Sequence, residues 1–181
     1  MTQEPAGRLY ELFADLLEYP TPALAGQTQA CGERLAGLRP EAAALLERFR
    51  RFAAETPPPR IEELYTSTFD MQPVCYPYVG YHLFGDSYKR GIFMARLNEG
   101  YRERGFSAGS ELPDHVAVVL RFLALGTEDE FSRALLSEGL IPALAKMRQS
   151  LGSPSDNPYS EVIGALSLAL GEPDKTGVDD A

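Results

Sequence analysis

Tryptophan is absent from this 181-residue chain, and cysteine and histidine occur only twice each. Cys31 and Cys75 lie far apart with no CxxC pair, which excludes a disulfide-stapled scaffold and fits a reducing compartment. His82 and His115 add no zinc-type spacing to these thiols, so no metal and no cofactor is expected. Positive charge is also scarce: 17 Lys and Arg stand against 26 Asp and Glu, a formal net charge of −9. Phosphate binding needs a basic surface, so nucleic acid is excluded as the main partner. A basic peptide segment would instead be attracted. No apolar run approaches the ~20 residues needed to span a bilayer. The opening Met1-Thr2-Gln3-Glu4-Pro5 lacks the basic start and apolar run of a signal peptide. The expectation is a cytoplasmic protein with no direct membrane insertion.

Catalytic signatures are missing as well. Gly105 and Gly109 are not followed by the Lys-Ser/Thr of a phosphate-binding loop. Ser110 and Cys75 sit in no nucleophile-elbow pattern. Asp114 and His115 are adjacent, and neighbours on a helix do not face each other as a triad requires.

What the chain does contain is helical periodicity. Leu9, Leu12, Phe13, Leu16 and Leu17 mark one face of a first helix over about 6–18. Leu24, Thr28, Cys31, Leu35 and Leu38 line a second over 23–38, with Cys31 a buried structural thiol. A third opens at Pro40 and runs to Glu55, leaving Arg48, Arg50 and Arg51 on a solvated face. After Pro57-Pro58-Pro59, a fourth covers 60–69. A fifth, capped by Asp86, runs to Arg104, and Gly105 ends it. The run from Val116 to Leu125 is interrupted only by Arg121, so it reads as a helix surrounded by others, entered through Pro113 at its first position and Asp114 in its first turn. Thr127-Glu128-Asp129-Glu130 reads as a capping box for a helix broken by Gly139. Two more follow, the last capped by Asn157-Pro158. The expectation is an all-α, single-domain bundle of about nine helices over 1–170 around a central buried helix, with a disordered acidic tail over 171–181.

Two stretches stand out. Asp70 to Gly85 holds Tyr76, Tyr78, Tyr81, His82 and Phe84 with no helical period over most of its length. Long irregular segments are uncommon and tend to be functional; the alternative is a loop packing its own aromatics over the core. The second stretch is Glu111-Leu112-Pro113-Asp114-His115 at the polar entrance of the central helix. His115 reads either as a histidine bonded to nearby backbone or as a polar contact at the mouth of a groove.

Three segments together resemble the NarJ branch of the TorD/DmsD family of molybdoenzyme maturation chaperones: Leu64-Tyr65-Thr66-Ser67-Thr68-Phe69-Asp70, Leu83-Phe84-Gly85-Asp86-Ser87-Tyr88-Lys89-Arg90-Gly91, and Glu111-Leu112-Pro113-Asp114-His115, with Phe122-Leu123 following. The resemblance implies a cytoplasmic chaperone without catalytic activity. Its implied partner is the N-terminal segment, often a twin-arginine leader, of a catalytic subunit of a molybdopterin-dependent oxidoreductase, held until cofactor insertion and before export or membrane assembly. A membrane-bound nitrate reductase is the first client expected, with selenate, perchlorate or hydrocarbon-oxidising relatives as the alternatives. Asp114 and His115 match the signature residues of peptide binding, and Glu111 opens the motif. With the residues read directly, Tyr76, Tyr78, Tyr81 and Phe84 would give apolar contact to an amphipathic leader helix, with His82 among them, while Glu111 and Asp114 would pair with its basic residues. The absence of tryptophan departs from the TorD-like branch. The competing readings are a hydrolase or transferase using His115, and a helical scaffold or oligomerisation module without a leader-peptide client. A monomer or weak dimer is expected.

Overall fold

The computed structural model of the chain describes residues 4–171. The expected tail, beyond Gly171, lies outside the described residues. The fold is all-α. Its helices are α1 (Glu4–Leu16), α2 (Leu24–Leu35), α3 (Pro40–Glu55), α4 (Pro58–Tyr65), α5 (Val79–Phe84), α6 (Tyr88–Glu103), α7 (Val116–Leu123), α8 (Glu130–Ala134), α9 (Ile141–Leu151) and α10 (Tyr159–Ala169). A π-helical turn over Thr66–Asp70 continues α4, and another over Leu135–Leu140 joins α8 to α9. Counted as continuous rods, the described residues hold nine.

The central helix is as buried as its sequence requires. Seven of the eight residues of α7 are buried, and Arg121 is the exception. Its guanidinium reaches Asp15 and Glu18 beside α1, each at 2.9 Å. A second helix is equally enclosed: eight of eleven residues of α10 are buried against α3 and α9. One of them is Glu161, whose carboxylate accepts from Arg48 at 2.8 and 3.2 Å. A buried carboxylate needs such a partner. Arg48 stays on the solvated face expected from the sequence, its side chain 56% exposed, and turns its guanidinium inward onto Glu161.

Several boundaries differ from expectation, each for a local reason. Helix α7 begins at Val116, so Pro113 and Asp114 lie in the preceding turn and His115 is the cap. Leu125 and Leu38 fall beyond their helices and are exposed. Asp86 does not cap α6; Ser87 occupies that position and its hydroxyl turns back to the Phe84 carbonyl. Asp129, rather than Thr127, caps α8 by accepting from the Ser132 N–H. Gly139 does not break its helix, because the π turn absorbs it ahead of Pro142. On α6 only Leu97, Gly100 and Tyr101 are buried, while Tyr88 and Ile92 are exposed, so this helix covers one flank of the bundle. Gly105 does end α6, at φ +66°. Asn157 performs its expected cap, accepting from Tyr159 N–H while donating to Thr68 Oγ1.

The largest departure concerns the stretch from Asp70 to Gly85. Its second half forms α5, six residues long. The start of that helix and the residues just before it are pinned to the α7 entrance by two backbone bonds of 2.8 Å, Val79 N–H to Asp114 O and Val116 N–H to Pro77 O. Tyr78 and His115 thus face each other as an isolated antiparallel bridge.

Candidate functional site: an acid-rimmed groove at the α7 entrance

The turn before α7 is held from beneath. Tyr101 on α6 is fully buried and donates its hydroxyl to Pro113 O at 2.7 Å. Asp114 is 0% exposed and accepts from both Nε and Nη2 of Arg90, at 2.9 and 3.3 Å. A fork-shaped guanidinium matches a carboxylate in this way, and a buried carboxylate without it would be strongly destabilising. Asp114 is thereby committed to Arg90. Its carboxylate does not face solvent, and its expected pairing with basic residues of a ligand gives way to this internal one.

His115 caps α7. Its Nδ1 accepts from the Ala117 N–H at 3.1 Å. That bond requires Nδ1 to be unprotonated, which puts the proton of the neutral ring on Nε2. Burial lowers its pKa from the usual 6.5, against the opposing pull of Glu111, Glu18 and Asp114. The ring is therefore a neutral donor at neutral pH. Tyr78 packs edge-on against it at 5.7 Å, and Arg90 lies 4.9 Å from the centre of the Tyr78 ring.

Beside His115 opens a groove of about 590 Å³. Tyr65, Phe69, Tyr78, Phe106 and Val118 give it apolar walls, and Glu18, Asp70 and Glu111 give it an acidic rim. Arg121 also lines it, but its charge is already met by Asp15 and Glu18. Burial and the nearby carboxylates both raise the Tyr65 and Tyr78 phenols, so these rings stay uncharged.

The eight residues singled out from sequence divide into three groups. Tyr78, Glu111 and His115 line the groove. Asp114 lies beneath it. Tyr76, Tyr81, His82 and Phe84 form a separate cluster on the flank of α5. There Tyr76 and Tyr81 stack at 3.8 Å, His82 Nε2 meets Tyr76 O at 2.6 Å, and Phe84 packs on Phe93 of α6. Lys146 of α9 closes the cluster by donating to His82 O at 2.8 Å. Sequence reasoning missed Glu18, Tyr19 and Phe106. It quoted Tyr65 and Asp70 within a motif without assigning them to the site.

Among the described residues, no group of three or more His, Cys, Asp or Glu is placed to hold a metal ion. Both thiols are buried and pushed up to about 12 by that burial. No helix among the described residues is long and apolar enough to cross a membrane.

Residues 35–153 match the family described as the nitrate reductase delta subunit. This chain belongs to the nitrate reductase delta subunit family. A relative in Bacillus subtilis (strain 168), assigned as the nitrate reductase molybdenum cofactor assembly chaperone NarJ, is 32% identical over 129 residues, covering 70% of this chain and 67% of the relative. The nitrate reductase molybdenum cofactor assembly chaperone NarJ of Escherichia coli (strain K12) is 32% identical over 137 residues. That match covers 74% of this chain and 58% of the E. coli protein, so the aligned part spans little more than half of that relative. A crystal structure from Archaeoglobus fulgidus, assigned to redox enzyme maturation, superposes with a TM-score of 0.63 over 92% of this chain and 94% of its own, at 22% identity. It supports the all-α fold. The relatives are named as assembly chaperones.

Proposed function

We propose that this chain is a maturation chaperone for a molybdenum-cofactor oxidoreductase, with a nitrate reductase as first client. It binds the N-terminal segment of the catalytic subunit, a twin-arginine leader or its remnant, and holds the subunit for cofactor insertion before export or membrane assembly. Family membership supports the chaperone role. One observation supports the mode of binding: an apolar, aromatic-walled groove carries Asp70 and Glu111 on its rim, while its third carboxylate, Glu18, and its one cation, Arg121, already pair with each other. A segment with apolar residues beside Arg or Lys complements that lining.

The test is titration of a synthetic peptide from the client's N-terminus into the protein by calorimetry at 50 and 300 mM salt. Binding that weakens several-fold with salt is expected, because exposed rim charges are screened. Failure to bind, or salt-independent binding, overturns this reading. A second reading, an oligomerisation module, draws on the exposed Tyr88 and Ile92 of α6. Sedimentation showing a stable dimer at micromolar concentration, with no peptide bound, would favour it.

A further inference from the structure

We propose that Arg90 is a positioning residue of the groove, acting through Asp114 and Tyr78 without touching the ligand. The inference rests on the reading of the groove as the client-peptide site. Arg90 comes from α6, Asp114 from the turn before α7, and they meet in a two-bond ion pair across 24 residues of sequence. The same guanidinium lies over the Tyr78 ring, and Tyr78 in turn packs edge-on against His115. Asp114 is fully enclosed and the Arg90 side chain is 16% exposed, so neither is free to meet a peptide. A chain of contacts thus runs from a buried charge pair, through an aromatic ring, to the capping imidazole on the groove wall.

Backbone bonds reinforce that chain. Asp114 supplies its carbonyl to Val79 N–H while its carboxylate holds Arg90. The pair therefore fastens both the side chain and the main chain of the segment that carries Tyr78. Helix α5 approaches closely enough that a Cβ at Gly80 would lie 2.7 Å from Asp114 Oδ2 and 2.8 Å from a Phe93 ring carbon. Gly80 is fixed by this close approach, not by a special backbone angle. It also supplies a way to disturb the pair without changing any charge.

The test uses Arg90→Met, Asp114→Asn, the double variant and Gly80→Ala in the full chain. Peptide affinity is measured at a temperature where each is fully folded, together with amide exchange of Val79 and Val116. The expected result is about a tenfold loss of affinity in each single variant. The double variant should show the same loss instead of the hundredfold product, since both residues serve one contact. The salt dependence of binding should stay that of the wild type, and Val79 and Val116 exchange should accelerate in every variant. Arg90→Lys keeps the charge without the fork and should recover part of the affinity.

A flattened salt dependence in Asp114→Asn would overturn the proposal, because it would place the carboxylate on the peptide. Unchanged affinity in folded Arg90→Met would also overturn it, leaving the pair only a role in stability. If a variant does not fold, Gly80→Ala and Arg90→Lys carry the same comparison. Wild-type protein that binds no peptide defeats the reading of the groove instead, and the exchange data still report whether Arg90 holds Tyr78 and His115 in place.

Discussion

Two neighbouring faces of one aromatic segment have different physics. On one side, Tyr78 joins His115 and Glu111 at an acidic groove. On the other, Tyr76, Tyr81, His82 and Phe84 satisfy one another and the flanks of α6 and α9. The Tyr76–Tyr81 side keeps Tyr76 and Phe84 over a third exposed, at 38% and 39%, yet its polar groups are spent: ring meets ring, and the nearby imidazole uses Nε2 on a backbone carbonyl. The groove is open: Glu18 is met by Arg121, but Asp70 and Glu111 pair with no cation among the described residues. Aromatic content alone does not mark a binding surface. What separates the two faces is whether the polar groups beside the rings are already used.

The difference between the two faces predicts a graded series of effects. The largest effect should come from reversing the rim. Asp70→Lys with Glu111→Lys is expected to lower the affinity for a basic peptide on the order of 100-fold at low salt, with little change in melting temperature. Calorimetry beside a thermal melt reads both. Glu111→Gln alone should cost no more than about fivefold and reduce the salt dependence, as expected for one exposed charge.

A third step uses pH. Burial lowers the pKa of His115 and of His82 below the usual 6.5. For a histidine so shifted, the unfolded chain binds the proton more readily, so stability is full above pH 6.5 and is lost as pH falls through and below it. Urea unfolding between roughly pH 7.5 and 5.5 should show this loss, and His115→Gln should reduce it more than His82→Gln. The reason is that protonation of Nδ1 also removes the acceptor for Ala117 N–H. Equal effects would remove the distinction between the two histidines. The smallest effect is assigned to the closed face: Tyr76→Ala and Phe84→Ala should each change peptide affinity less than about twofold. A larger loss in either would extend the site around α5.

Much of the fold was legible because helical periodicity is local. The spacing of Leu9, Leu12, Phe13, Leu16 and Leu17, the apolar run of α7 with its single Arg121, and the glycine after α6 each carry their message within a few residues. What escaped depended on distance. Glu161 is buried because Arg48 lies 113 residues away in sequence, and Asp114 is buried because of Arg90. A carboxylate beside a proline at a helix entrance looks the same in sequence whether it faces solvent or an arginine. Helix α5 is too short to display a period, and its ends are fixed by backbone bonds to another segment. The groove drew Glu18 from the end of α1 and Asp70 from the end of a π turn, positions that converge only after packing.

That second π turn, Leu135–Leu140, also sets the phase of everything after it. One residue more than an α-turn requires has been accommodated, so the downstream faces are rotated by about 100° from where an uninterrupted α-helix would put them. It is this rotation that aims Lys146 at the His82 carbonyl and turns Met147 fully inward, its carbonyl near the Cys75 thiol. At its exposed positions, Ser137 and Glu138, the segment should consequently forgive substitution and not forgive a change in length. Loss of the exposed Ser137 alone would preserve the composition of the core and most helical hydrogen bonds, yet swing the last turns of α9 out of register with the flank of α5 that they close.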